Sequence, residues 1–383
     1  MQSAHIEISR RNLIHNIQTF RSLLSPLHSQ TRFCAVVKSN AYGHGLQEIV
    51  KICLESGQVD LFGVNTLEEA TKVRSMQKNI PILVMGDIPN LENRESEWSD
   101  PNFWILVSRL SSWKRLAFPK DPNQRPKIHL KVDTGMGRLG TSGTEFQTIL
   151  SSGKSEGLPL EGIATHFASA EDFTEHSYSR LQLKRFKEAI EIANSLGYKN
   201  LVRHAAASAP ALLFDEARMD MIRVGISLYG LWPSIETKLS MNILGRPTAS
   251  LVPVLSWRSQ IQHIQEIPTG SYIGYGSTFK TTYPTRVGVV PVGYYEGLDR
   301  KLSNNGYMLV NGERARILGR VCMNMSMIDL THIPEAQVGV PVTIIGQSGK
   351  EMVTADDLSA WTNTINYETV TKILDLLPRT VVD

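Results

Sequence analysis

The sequence predicts an α/β fold: a (β/α)8 TIM barrel followed by a mostly β carboxyl-terminal domain. Three observations predict it. Eight short, near-continuously apolar runs recur through the first two thirds of the chain, with helical patterns between several of them, as parallel strands covered on both faces require. No GxGxxG follows the first run, which removes the usual clue to an open doubly wound sheet. Beyond YGLWPS (229–234) the chain changes to strand-forming segments with turn punctuation and little helix.

The elements follow in order. IEISRRNL, near the start, reads as a strand lent to the β domain. The barrel strands are FCAVVK (33–38), DLFGV (60–64), PILVM (81–85), FWILVS (103–108), KIHLKV (127–132), LEGIAT (160–165), NLVRH (200–204) and MIRVG (221–225). GLQEIVKICLES (45–56) is amphipathic. TLEEATKVRSM (66–76) opens with a capping box, Thr66 and Glu69. YSRLQLKRFKEAIEIANSLG (178–197) repeats apolar residues at helical spacing and stops at a glycine. Residues 86–102 read as loop. TGMGRLG (134–140) follows the fifth strand and is not a dinucleotide site. In the second domain VNGER (310–314) reads as a hairpin around Asn-Gly, and NYETVTKILDLL as a short helix. The domains are therefore 1–238, a cofactor-binding barrel, and 239–383, a β domain, with residues 1–10 a candidate strand of the latter.

Composition narrows the class. Hydrophobic residues make up 42% of the 383 and charged residues 20%, which fits a globular protein and excludes a disordered one. A net charge of +3 gives no reason to invoke nucleic acid or a membrane surface. Cys34, Cys53 and Cys322 are scattered, which argues against a disulfide scaffold and a zinc knuckle. No metal site is expected. With no apolar leader and no membrane-length apolar run, the expected location is the cytoplasm.

Residues at the carboxyl ends of barrel strands are the default site candidates. Here those ends carry Lys38, Arg138 just beyond Lys131, His166, His204 and Arg223. Alone, Lys38 reads as a solvated charge, His166 as a satisfied structural histidine and Arg223 as half of a buried ion pair. Together they converge on one mouth, which packing does not require. A lysine in a tight pocket has a lowered pKa and forms an imine with an aldehyde. Ser208 follows the seventh strand, and Gly225 and Ile226 the eighth, where barrels often bind phosphate. Barrel closure makes these loops neighbours of Lys38. Pyridoxal phosphate is a phosphorylated aldehyde that would bridge them. A phosphosugar aldolase uses the same geometry.

The stretches VVKSNAYGHG, LKVDTGMGRLG, GIATHFASA, RVGISLYG, YIGYGS, PVGYYEG, GRVCMNM and NYE, spanning 36–368, together resemble the alanine racemase family. The resemblance implies a pyridoxal 5'-phosphate enzyme that interconverts L- and D-alanine and supplies D-alanine for peptidoglycan. It implies a head-to-tail homodimer whose active sites are completed by the partner subunit. Lys38 is then the covalent anchor and one of two bases, and Tyr275, delivered by the partner, is the other. Arg223 contacts the pyridine nitrogen. His166 bonds Tyr275 or Arg223. Arg138 positions the substrate carboxylate and one side of the cofactor, braced by Lys131, which is carbamylated in some members. Tyr42, Ser208, Gly225, Ile226 and Tyr367 hold the phosphate. Tyr294 and Met323 reach in from the partner and line the substrate entrance. Asn40 and Gly43 shape the turn after Lys38. His44 takes no catalytic step.

The chemistry explains these types. Inverting Cα means removing its proton on one face and returning it on the other, which two opposed bases can do. Tyrosine is a poor base, with a pKa of about 10, unless cations favour its phenolate. An arginine, with pKa above about 12, does not readily protonate the cofactor ring. The carbanion is then short-lived, which favours reprotonation over transamination. Three positions depart from the family pattern: Ala207 where asparagine precedes the serine, Asn324 where CMD has aspartate, and Glu296 where aspartate is common. The last two bear on substrate preference. Tyr367 and Tyr294 should leave room only for a small side chain, and serine is hard for such a pocket to reject. The alternatives are a serine-preferring or broad amino-acid racemase and a non-catalytic pyridoxal-phosphate-binding protein.

Overall fold

The computed structural model describes residues 4–24, 28–88, 100–114, 125–156, 160–170, 176–245 and 250–383. The chain forms two compact units: Leu13–Ser39 with Ile49–Val252, and Met1–Asn12 with Asn40–Glu48 and Pro253–Asp383.

The first unit is an eight-stranded parallel sheet. Its strands are Arg32–Val36, Leu61–Val64, Ile82–Val84, Phe103–Val107, Lys127–Lys131, Leu160–Ala164, Val202–His204 and Met221–Val224. Each pairs with the next from the first to the seventh, and the eighth pairs back onto the first, with Cys34 opposite Arg223. Between seventh and eighth, Asp220 N–H donates to Arg203 O at 3.1 Å and Arg223 N–H to Ala206 O at 2.9 Å. An open doubly wound sheet is excluded by this order. Most of the strands are almost wholly buried, which is why their sequences run apolar without alternating. Helices Leu46–Ser56, Leu67–Met76 and Ser177–Ser195 lie where the periodicity puts them. Both halves of the Thr66–Glu69 capping box are present. Most of the predicted loop 86–102 lies outside the described residues. Helix Ile235–Ile243 belongs to this unit, and the second begins again at Pro253.

The second unit is a ten-stranded sheet in the order His263–Ile267, Thr285–Val290, Ser326–Asp329, Glu313–Leu318, Tyr307–Val310, Pro341–Ser348, Leu255–Gln260, His5–Ser9 and Arg379–Val382, with Glu351–Val353 paired to Pro341–Ser348. His5–Ser9 is antiparallel to Leu255–Gln260 and parallel to Arg379–Val382. The Asn-Gly hairpin forms: Asn311 and Gly312 have φ of 52° and 83° between paired strands, as a two-residue turn of that handedness requires. Asn366–Thr371 is a short helix.

One expectation changes. The first barrel strand ends at Val36, not at Lys38. Lys38 opens a single helical turn, Lys38–Tyr42, in which Ser39, Asn40, Ala41 and Tyr42 have φ of 55°, 51°, 53° and 53°. That is a left-handed turn built from four consecutive residues with side chains.

Candidate active site

In the barrel unit the predicted cations are gathered by the strand ends. Lys38 is half-buried, and burial, then the charge of Arg138, lowers its pKa, with Glu69 opposing. Glu69 also accepts Ser39 N–H at 2.6 Å and Asn65 N–H at 2.7 Å. The capping residue of one helix thereby fixes the peptide that follows Lys38. Lys131 is buried, and its pKa falls to about 8 through burial and the charges of Arg223 and Arg138. Arg138 itself is exposed.

Arg223 is buried with no carboxylate partner among the described residues. Its donors go to His204 Nδ1 at 2.7 Å and to the carbonyls of His204, Thr165 and Ala205 at 2.8, 2.8 and 3.3 Å. Burial lowers its pKa to about 10, so it keeps its proton at neutral pH. The proton pattern beyond it follows from that. His204 accepts at Nδ1, so its Nε2 carries the hydrogen and donates to His129 Nδ1 at 2.8 Å. His129 stacks on Trp104, ring centroids 4.8 Å apart. Burial foremost, then the charges of Arg223, Lys131, Arg138 and Lys38, bring the His166 pKa to about 3. Both His166 and His204 are thus neutral. The direct partner of Arg223 is His204.

His129 was missed by the reading of strand ends. It sits two residues before Lys131, so the two share one face of the strand. That alternation was the available signal.

TGMGRLG closes on its own strand end. Asp133 accepts N–H from Gly135 at 2.9 Å, Met136 at 2.8 Å and Gly137 at 3.1 Å. Those three donors hold its pKa down against partial burial. The glycines serve this turn. Ser208 is buried, and its Oγ accepts Gly225 N–H at 3.0 Å and Ser227 N–H at 3.5 Å. Ala207 is the N-cap of helix Ser208–Leu213 and gives it no side-chain bond, which is the local effect of the first departure.

In the other unit, Tyr42 and Tyr367 lie with ring centroids 6.3 Å apart. Tyr275 opens a tight turn, Tyr275–Ser277, and is 71% exposed. Tyr294 and Met323 are 44% and 55% exposed. Tyr294 N–H donates to Cys322 O at 3.0 Å, so the two segments that carry them are joined. His44 is buried, and its Nδ1 bonds Tyr42 O at 3.0 Å.

The sequence matches the model of the alanine racemase N-terminal domain over residues 8–233 and that of the alanine racemase C-terminal domain over 254–381. The chain belongs to the alanine racemase family. An alanine racemase of Leptospira interrogans is 56% identical over 383 residues, covering 100% of this chain and 96% of the relative. One from Desulfosudis oleivorans is 36% identical and covers 98% and 96%. Among solved structures, the Bacillus anthracis alanine racemase with bound L-Ala-P superposes with a TM-score of 0.90 at 31% identity, covering 100% and 96%. The Bartonella henselae alanine racemase with covalently bound pyridoxal phosphate superposes at 0.85 with 27% identity, covering 100% of both. The two matched ranges cover the cations of the barrel unit and the exposed aromatics of the β unit.

Proposed function

We propose that this chain interconverts L-alanine and D-alanine as a pyridoxal-phosphate-dependent homodimer, supplying D-alanine for peptidoglycan. The observation that carries this reading is Lys38: a half-buried amine with a lowered pKa beside Arg138, in a chain whose whole length follows one racemase family.

The donor set fits the cofactor. A lysine of lowered pKa suits covalent attachment to an aldehyde. Arg223, a buried cation whose two terminal nitrogens bond His204 and carbonyls, keeps its proton and would face the ring nitrogen without giving that proton up. Ser208 with the Gly225 and Ile226 backbone, and Tyr42 with Tyr367, would hold the phosphate. When bound, pyridoxal phosphate supplies the electron sink that acidifies the substrate Cα–H.

The chain's own groups do the rest. Lys38, once its amine is released by incoming substrate, would take or return the proton on one face. Tyr275 of the second copy serves the opposite face, which accounts for its exposure here. Arg138 binds the substrate carboxylate. Lys131, with a pKa near 8, keeps a reactive unprotonated fraction at neutral pH. As a carbamate it would turn one of several crowded cations into an anion that braces Arg138. Tyr294 and Met323 limit the side chain that fits. The protein would work in the cytoplasm.

The test is chiral analysis of L-alanine and L-serine incubated separately with cofactor-loaded protein. D-alanine as the faster product supports the reading. Faster D-serine keeps the mechanism and changes the substrate. No inversion of either with cofactor bound would overturn it.

A further inference from the structure

Tyr294 and Met323 are carried by exposed segments, and exposed segments wander unless fastened. The fastening here is dense. A Cβ on Gly293 would lie 2.2 Å from Cys322 O and 2.4 Å from Met323 O. The segment 291–298 and the turn 321–326 therefore touch backbone to backbone, and only glycine fits between them. Tyr294 N–H donates to Cys322 O at 3.0 Å and Tyr295 N–H to Met323 O at 2.9 Å.

A side-chain pair crosses the same seam. Glu296 Oε2 accepts Gly293 N–H at 2.8 Å, and Glu296 Oε1 accepts Asn324 Nδ2–H at 2.8 Å. One carboxylate thus ties Gly293 of its own loop to the side chain next to Met323. The Glu296 carbonyl accepts Leu374 N–H at 3.1 Å, which anchors the far side of the loop. An ionised carboxylate offers only acceptors, so its partner must donate. An aspartate at 324 would set acceptor against acceptor and charge against charge. Two of the positions at which the sequence departs from the racemase motif therefore meet in one hydrogen bond.

We propose that Glu296 and Asn324 are coupled positioning residues that clamp the Tyr294 loop to the Met323 turn and so set the wall met by the substrate side chain. The substrate role of that wall rests on the racemase reading above; the clamp does not.

The test compares wild type, Asn324→Asp, and Asn324→Asp combined with Glu296→Gln, all as holoenzyme. The single change opposes two carboxylates. The second returns a donor: the glutamine Oε1 takes Gly293 N–H and its Nε2–H meets the introduced acid. Amide hydrogen exchange at Tyr294 and Tyr295 should quicken about ten-fold in the single variant, as loss of a hydrogen bond to a charged group implies. KM for L-alanine should rise about ten-fold, with kcat changing by less than about three-fold. The double variant should recover both to within about two-fold. Unchanged exchange in Asn324→Asp, or fast exchange that persists in the double variant, would overturn the clamp. Altered exchange with unmoved KM would overturn its role at the substrate wall. A wild type that inverts no amino acid would remove the racemase reading, while the exchange data would still judge the clamp.

Discussion

Lys38 and Tyr275 carry opposite requirements. The lysine must be shielded, because burial is what lowers its pKa. The tyrosine, if it is to serve a second copy as proposed, must be offered outward, and it is 71% exposed. Lys38→Ala should abolish the borohydride-trapped cofactor adduct, read by intact-protein mass and absorbance; a surviving adduct would move the anchor elsewhere. Tyr275→Phe should keep that adduct and lose racemisation by at least about 100-fold, the scale of one acid–base group. An active Tyr275→Phe enzyme would dismiss the two-base assignment. At this scale the gathering of these groups was legible, because Lys38, Lys131, His166, His204 and Arg223 stand at strand ends or just beyond them. Which neighbour Arg223 bonds was not legible. Its choice of His204 depends on how two adjacent strands register, and no local pattern reports that.

The left-handed turn Lys38–Tyr42 belongs to the scale of elements. Left-handed helix costs roughly 1–2 kcal/mol per residue with a Cβ, so the surroundings must impose it. Several contacts do. Asn40 accepts Leu46 N–H at 2.7 Å and donates to Asp375 at 2.8 Å. Gly43 O accepts from Arg379 at 3.0 Å. Gly43 has φ of 80°, and a Cβ on it would lie 2.0 Å from Val370 O. Gly43→Ala should therefore lower stability by about 2–4 kcal/mol, measured by denaturant melts, with Gly57→Ala as a control where a Cβ meets nothing. Sequence reading placed a turn here through Asn40 and Gly43 but extended the strand two residues too far. Alanine and tyrosine carry no left-handed signal, and several of the contacts that hold the turn lie more than 300 residues away in sequence, as the Asn40–Asp375 and Gly43–Arg379 bonds show. The barrel strands were legible because burial on both faces writes itself as apolar runs.

At the scale of the molecule, buried and half-buried histidines make the fold sensitive to acid. Burial foremost lowers His44 to about 4 and His129 and His166 to about 3, from 6.5. Each is neutral in the folded protein and charges more readily once unfolded. The unfolded state thus binds more protons between pH 6.5 and 3, and stability present above that window is lost as pH falls through it. Urea midpoints of the cofactor-free protein should drop steadily from pH 7 to 4; a flat profile would contradict the buried neutral state. Assembly has its own test. Mixing and refolding the inactive Lys38→Ala and Tyr275→Phe proteins should restore about a quarter of wild-type activity, since half the random dimers carry one intact site of two. No recovery would mean that lysine and tyrosine act within one chain.

The strand His5–Ser9 sits between Leu255–Gln260 and Arg379–Val382 in its sheet. During synthesis it emerges before any barrel strand, yet both of its neighbours are translated after the last one. It must therefore wait, unpaired and with Ile6 and Ile8 uncovered, while the barrel segment leaves the ribosome. The residues that alternate with them, His5, Glu7 and Ser9, are polar, which guards so early a strand against pairing with the wrong chain.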